Sequence, residues 1–273
     1  MSSPSTTHKH PWHMVDPSPW PVVGAAAALL TAFGLIWYMH EGPIWLFLVG
    51  VAGLLVTFWG WWRDVIAEGT HQGHHTDPVS TGLRLGMILF IASEVMFFFA
   101  FFWAFFHSSM PILSKVAATT WPPASVQPLN PWTLPFLNTL ILLTSGATVT
   151  YAHHALLKGN QKGTVVGLAL TIALGIIFTG TQAYEYGVAA FKFKDGIYSS
   201  TFYLATGFHG AHVIIGTCFL IVCLFRAAKG HFKPEKHVGF EAAAWYWHFV
   251  DVVWLFLFAW VYWWGTAGYK GPF

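Results

Sequence analysis

Charge is what this sequence has least of. Of its 273 residues only 9% are Asp, Glu, Lys or Arg, where a soluble domain carries about 25%. With 55% of the residues hydrophobic, too little polar surface is left to clothe a core in water, and a soluble globular class is excluded. A basic stripe is also missing. The formal charge of +2 comes from short basic loops, so no nucleic acid is expected as a partner, because phosphate binding needs clustered Lys and Arg. Cysteine is nearly absent. Cys218 and Cys223 lie five apart in one apolar segment, on different helix faces, and read as buried small hydrophobes rather than a disulfide or a thiolate metal pair. No internal repeat is visible, so an inverted-repeat transporter has no support. The polar first 18 residues lack the charged-then-apolar order of a cleaved signal peptide, and the apolar run from Trp20 to Met39 is expected to stay as a helix.

What is present is apolar length. Seven runs, at about 19–39, 44–62, 82–107, 134–157, 164–187, 197–228 and 239–264, each approach or exceed the roughly 20 residues needed to span a bilayer. Only helices or closed barrels satisfy the backbone in lipid, and these runs are too long for barrel strands, so an all-α, seven-span membrane protein is predicted. Aromatics reach 18%, with 16 Trp, suited to the two membrane–water interfaces. Glu41-Gly42-Pro43, the polar stretch from Arg63 to Pro78, and Lys158-Gly159-Asn160 mark breaks; Pro111, Pro122, Pro123, Pro128, Pro131 and Pro135 forbid a continuous helix through their region. With the N-terminus inside, nine basic residues (Lys9, Arg63, Arg84, Lys158, Lys162, Arg226, Lys229, Lys233, Lys236) face in and four (Lys115, Lys192, Lys194, Lys270) face out, which favours that orientation.

The few polar residues inside these runs are the candidate sites. Glu94 sits about 20 Å along the third run at 1.5 Å per residue, near mid-bilayer, where a charged carboxylate costs at least about 2.5–3.5 kcal/mol. It is either the neutral acid or faces a polar neighbour; a proton-exchanging role and a structural hydrogen bond both stay open. His209 and His212 share one face of the sixth run, and His248 and Asp251 one face of the seventh. The short connection makes these helices antiparallel neighbours, so the four could meet as a Zn, Cu or non-haem iron site or serve as an interhelical hydrogen-bond network. His153 and His154 read as interfacial. Glu185 lies near the far end of the fifth run, and Glu241 suits a helix N-terminus. Trp59, Trp61, Trp62, Arg63, His75, Arg226 and Lys229 put aromatic and basic groups where lipid phosphates lie, or else anchor and snorkel in the ordinary way.

The segments His10-Pro-Trp-His-Met-Val-Asp-Pro-Ser-Pro-Trp20, Trp61-Trp-Arg-Asp-Val65, Gln72-Gly-His-His-Thr76, Ser93-Glu-Val-Met-Phe-Phe98, Ala205-Thr-Gly-Phe-His-Gly-Ala-His-Val213 and Phe240-Glu-Ala-Ala-Ala-Trp-Tyr-Trp-His-Phe-Val-Asp-Val-Val-Trp-Leu-Phe256 resemble subunit III of haem–copper cytochrome c oxidase of the aa3 type, over nearly the whole chain. The resemblance implies a non-redox core subunit of the proton-pumping complex that passes electrons from cytochrome c to oxygen in aerobic respiration. Haem A and copper reside in partner subunits I and II, with no metal or catalytic residue in this chain, so His209, His212, His248 and Asp251 become structural. It implies a two-helix pair (1–66) and a five-helix bundle (80–273) around a V-shaped cleft holding phospholipid. Lipid contacts fall on Trp62, Arg63, Glu68, His75, Phe90 and Ser93, and on Arg226 and Lys229. Glu94 resembles the family's carbodiimide-reactive carboxyl. Animal mitochondrial members carry a second arginine in the turn after Trp-Trp-Arg-Asp, where this chain has Ala67.

The expected role is therefore to bind structural phospholipid, stabilise subunit I and support its proton uptake. The expected location is a bacterial plasma membrane, from the Ala- and Gly-rich variable positions, or alternatively the mitochondrial inner membrane. A supercomplex with the cytochrome bc1 complex is left open. Two competing classes are a self-contained proton channel using Glu94 and a membrane metalloenzyme using the histidines.

Overall fold

A computed structural model of the chain describes residues 11–110, 112 and 120–271. The expectations that rest on Lys9, His10, Pro111 and Lys115, and on the first ten residues of the polar leading stretch, lie outside them. Every long element is a helix: α1 (Trp20–Met39), α2 (Trp45–Ala67), α3 (Asp77–Ser109), α4 (Leu134–Leu157), α5 (Gln161–Val188), α6 (Ile197–Ala228) and α7 (Val238–Phe256). α2 and α7 run on into wider π turns at Glu68–Gln72 and Leu257–Trp264. Among the described residues the only extended pairing is an isolated Lys233–Lys236 bridge. All seven helices are long and apolar enough to cross a membrane, and the chain is an all-α, multi-pass membrane protein.

Helix ends overrun the apolar runs. The stretch from Arg63 to Pro78 does separate two helices, but the break itself is only 73–76: α2 and its π turn continue through Arg63, Asp64 and Glu68, and α3 already starts at Asp77. Hydropathy marks the hydrocarbon slab, whereas a helix continues into the head-group layer as long as its backbone bonds are made. Pro78 does not interrupt α3 because a proline in the first turn removes an N–H that has no intrahelical partner anyway.

The chain divides into two compact units, one ending at Leu83 and one beginning at Arg84. In the first, α1 and α2 pack through small residues. Ala27 and Gly34 are buried on α1, and Gly50, Thr57 and Gly60 on α2. A β-carbon at Gly34 would overlap the backbone of Phe47, and one at Gly50 the backbone of Thr31. Lipid tails are as apolar as Leu, so helices in a bilayer gain from close backbone approach rather than from hiding Leu. At one end of this pair Trp20 donates its indole N–H to Asp64 at 2.6 Å.

In the second unit α4 and α5 form a hairpin through Lys158-Gly159-Asn160, as expected. Gly159 takes φ +70°, and Asn160 caps α5 by accepting the Gly163 N–H at 3.0 Å. The core is aromatic: Trp247, Trp254, Tyr198, Tyr262, Phe105, Phe178, Phe202 and Phe240 are fully buried.

Candidate functional site

Buried polar groups in a lipid-facing bundle must find partners within it, and α7 finds them on α4. The rungs run antiparallel. Trp254 donates its indole N–H to the Thr139 hydroxyl at 2.9 Å, and Trp247 to the Ser145 hydroxyl at 2.9 Å. A β-carbon on Gly146 would strike the Asp251 carboxylate. His248 meets the Thr150 hydroxyl at 3.1 Å, and His153 meets His237 at 3.2 Å. The long α7 motif thus carries the seam with α4 on one face, while Tyr246, Phe249 and Val250 meet α6 on another.

Glu94, on α3, faces His212 on α6, with Oε2 and Nε2 2.8 Å apart. His212 Nδ1 lies 2.6 Å from the Phe208 carbonyl. A carbonyl only accepts, so Nδ1 carries a proton. A neutral imidazole has one N–H, so the contact at Nε2 needs a second proton, held either by the carboxyl group or by the imidazole. The pair is neutral as a whole in both cases, which removes most of the cost of placing a carboxylate at this depth. The rings of Phe97, Phe98, Phe249 and Tyr246 surround His212. Ser93, one residue away, turns back and donates to the Phe90 carbonyl at 2.7 Å.

The four residues that could have met at one metal do not gather. His209 donates from Nε2 to the Val250 carbonyl at 3.1 Å and packs against the Phe178 and Trp254 rings. His212 is committed to Glu94, and His248 contacts Asp251 at 3.2 Å. Periodicity puts pairs of residues on one face of a helix; it does not set the rotation of that face toward its neighbour.

The residues of the lipid-contact expectations are divided between the two units. In the first unit Trp62 and Arg63 are exposed. Arg63 grips Asp64 through Nε and Nη2 at 3.0 and 2.9 Å and lies over the Trp59 ring at 5.3 Å. Ala67 closes α2 rather than standing in a turn. Glu68 comes within 4.0 Å of His13, and the His75 ring packs over Gly69. Thr57, Phe58, Trp61, Trp62 and Val65 line an apolar recess of about 380 Å³. In the second unit Phe90 stacks on Tyr246, Arg226 lies over the Phe232 ring at 4.4 Å, and Lys229 is the exposed C-cap of α6.

Two clusters went unread in the sequence. Glu185 is fully buried; its Oε1 accepts from Tyr262 at 2.6 Å and from Gln182 at 3.1 Å, and Gln182 in turn contacts Asn138, which accepts from Thr181. Gln182 and Glu185 stand three apart, the spacing of one helix face, and that was the available signal. The other cluster joins His153, His237 and Glu241, with Glu241 Oε2 accepting from Arg84 Nε at 2.7 Å. His237 and Glu241 stand four apart, the spacing of one helix face, but His153 is 84 residues from His237 and no local pattern joins it to them.

Residues 10–266 match the family model described as cytochrome c oxidase subunit III. Curated proteins named cytochrome c oxidase subunit 3 align with the chain almost end to end. The one from Prototheca wickerhamii is 61% identical over 95% of this chain and 99% of its own length. Those from Scyliorhinus canicula and Arabidopsis thaliana are each 58% identical, over 94% and 95% of this chain and 98% of their own lengths.

Proposed function

This chain belongs to the cytochrome c oxidase subunit III family, and we propose that within the oxidase it is a core subunit without a redox centre of its own, one that carries structural phospholipid, stabilises subunit I and supports its proton uptake. Membership makes it a subunit of an oxidoreductase complex of the respiratory chain. The finer role rests on one observation above the rest: the family match spans residues 10–266, while the intramembrane polar groups Glu94, His209, His212, His248 and Asp251 are spent on contacts within their own bundle. In this reading haem A and copper belong to subunits I and II, cytochrome c is met through the complex, and Glu94 with His212 holds α3 to α6.

Phospholipid is the ligand that the exposed surfaces suit. An apolar recess lined by Trp62 adjoins in sequence an exposed Arg63 (side chain 57% accessible), the pairing of acyl and phosphate contacts that a lipid requires. Arg226 and Lys229 offer a second basic site, and Glu68, His75, Phe90 and Ser93 complete the set carried over from the family. The membrane is a respiratory one, with the N-terminus on the side richer in Lys and Arg. The relatives reported above are eukaryotic, so they lend no support to a bacterial plasma membrane and are consistent with the mitochondrial inner membrane.

Purification in mild detergent through a tag on this chain tests the reading. Haem A absorption and co-purifying phospholipid are expected. A colourless preparation, or an oxidase lacking this chain that keeps full pumping and full turnover lifetime, would overturn it. A second reading, a proton channel through Glu94, draws on the proton shared with His212. Met87 to Ile91 and Val95 to Met96 flank that pair with apolar side chains, so proton flux through liposomes holding this chain alone is expected to be at background.

A further inference from the structure

Where α4 ends and α7 begins, the last rung of the seam gathers three ligand-type side chains. His153 stands in the last turns of α4, His237 is the N-cap of α7, and Glu241 lies in the first turn of α7. We propose that these three bind a divalent transition-metal ion of the Zn²⁺ class, fastening α4 to α7 at that end of the seam. This goes beyond the functional reading, which assigns no metal to the chain.

The geometry carries the proposal. His153 Nε2 and His237 Nε2 are 3.2 Å apart, and one carboxylate oxygen of Glu241 is 3.7 Å from His237 Nε2. The three ligand atoms all lie within 4.8 Å of one another. Two nitrogens bound to tetrahedral Zn²⁺ at about 2.0–2.1 Å stand roughly 3.3–3.4 Å apart, so the imidazoles already hold one edge of the tetrahedron. The supporting contacts point the same way. His237 Nδ1 lies 3.1 Å from the Lys233 carbonyl, which can only accept, so Nδ1 carries the proton and the lone pair sits on Nε2, facing the other two groups. A backbone carbonyl behind a histidine is the usual device for aiming and enriching a metal-binding nitrogen. Glu241 is aimed in the same manner: Arg84 takes Oε2 at 2.7 Å and leaves Oε1 for the site. His237 is buried and the other two half-buried, so the ligands enter with few rotamers to lose. Two imidazoles and one carboxylate suit Zn²⁺, Co²⁺ or Cu²⁺ and disfavour Mg²⁺ and Ca²⁺, which take oxygen ligands.

A plain hydrogen bond from His153 to His237 is the alternative, and it leaves Glu241 Oε1 idle. Titration of the full-length chain in detergent with Co²⁺, read by visible absorption, separates the two. One ion per chain with the intense bands of four-coordinate cobalt is expected, displaced by Zn²⁺. His153→Gln and Glu241→Gln should each weaken binding at least tenfold, while His154→Gln, at the exposed neighbour of His153, should leave it unchanged. Zn²⁺ should also raise the unfolding temperature of the unaltered chain and not that of Glu241→Gln, a readout that does not depend on how well any one variant folds. Four-coordinate cobalt bands that survive both substitutions, or an unaltered chain with neither bands nor a Zn²⁺-dependent shift, would overturn the assignment.

Discussion

At the scale of single residues, mid-membrane carboxyls are tolerated here by being paired on a second helix. The proton count at Glu94 and His212 yields a directed expectation. Glu94→Gln supplies an amide N–H to His212 Nε2 and should lower stability by less than about 1 kcal/mol. His212→Leu leaves Glu94 unpartnered and should cost about 1–3 kcal/mol, the usual penalty for a buried polar group without its bond. Reversible unfolding of the purified chain in mixed micelles measures both; equal costs would contradict the shared-proton account. Glu185 follows the same logic. Tyr262 supplies its shorter contact, at 2.6 Å, and one carboxyl oxygen is already without a partner. Tyr262→Phe, which changes little but the hydroxyl, should also cost about 1–3 kcal/mol by that unfolding assay.

At the scale of elements, two kinds of seam hold the helices. The α1–α2 seam is steric. Gly34 and Gly50 let backbones touch, and any side chain there must push the helices apart. Gly50→Leu should cost about 1–3 kcal/mol or more by overpacking, and should exceed the cost of Thr57→Ala, whose hydroxyl only returns to the Gly53 carbonyl of its own helix at 2.8 Å. The α4–α7 seam is polar and repeats along its length. Removing one rung with Trp247→Phe should cost about 1 kcal/mol for the bond on top of the cavity left by the smaller ring, and the bond's share should vanish when Ser145→Ala is already present, because the two groups share a single bond. A double-mutant cycle reads that coupling directly.

At the scale of the whole molecule, the outer surface is largely apolar: even around the middle of α3, large side chains such as Leu89, Met96 and Phe99 are more than half exposed. Lipid or partner subunits must cover that surface, in keeping with a subunit of a larger membrane complex. If phospholipid is bound through Arg63, then Arg63→Gln should lower the phospholipid retained per haem A after mild-detergent purification, and Arg226→Gln should do so independently. Lipid mass spectrometry of the two variants and the double variant is the check, and unchanged lipid content would remove both residues from the lipid-binding role.

Much of the architecture follows from composition alone. A chain with so few charges has to lie in lipid, long apolar runs in lipid have to be helices, and Gly159 with Asn160 forces the α4–α5 hairpin. The family was legible too, because a string as long as Phe240 to Phe256 is too long to match by chance. Hydropathy could not locate helix ends, since nothing in the head-group layer obliges a helix to stop at the last apolar residue. Nor could it say which polar residues meet. Glu94 and His212 are 118 residues apart, His153 and His237 are 84 apart, and His209 turns away from the histidine three positions along. Spacing within a helix sets only which residues share a face. The direction of that face, and so the identity of its partner, is decided by close packing against the neighbouring helix, which exists only once the bundle has formed.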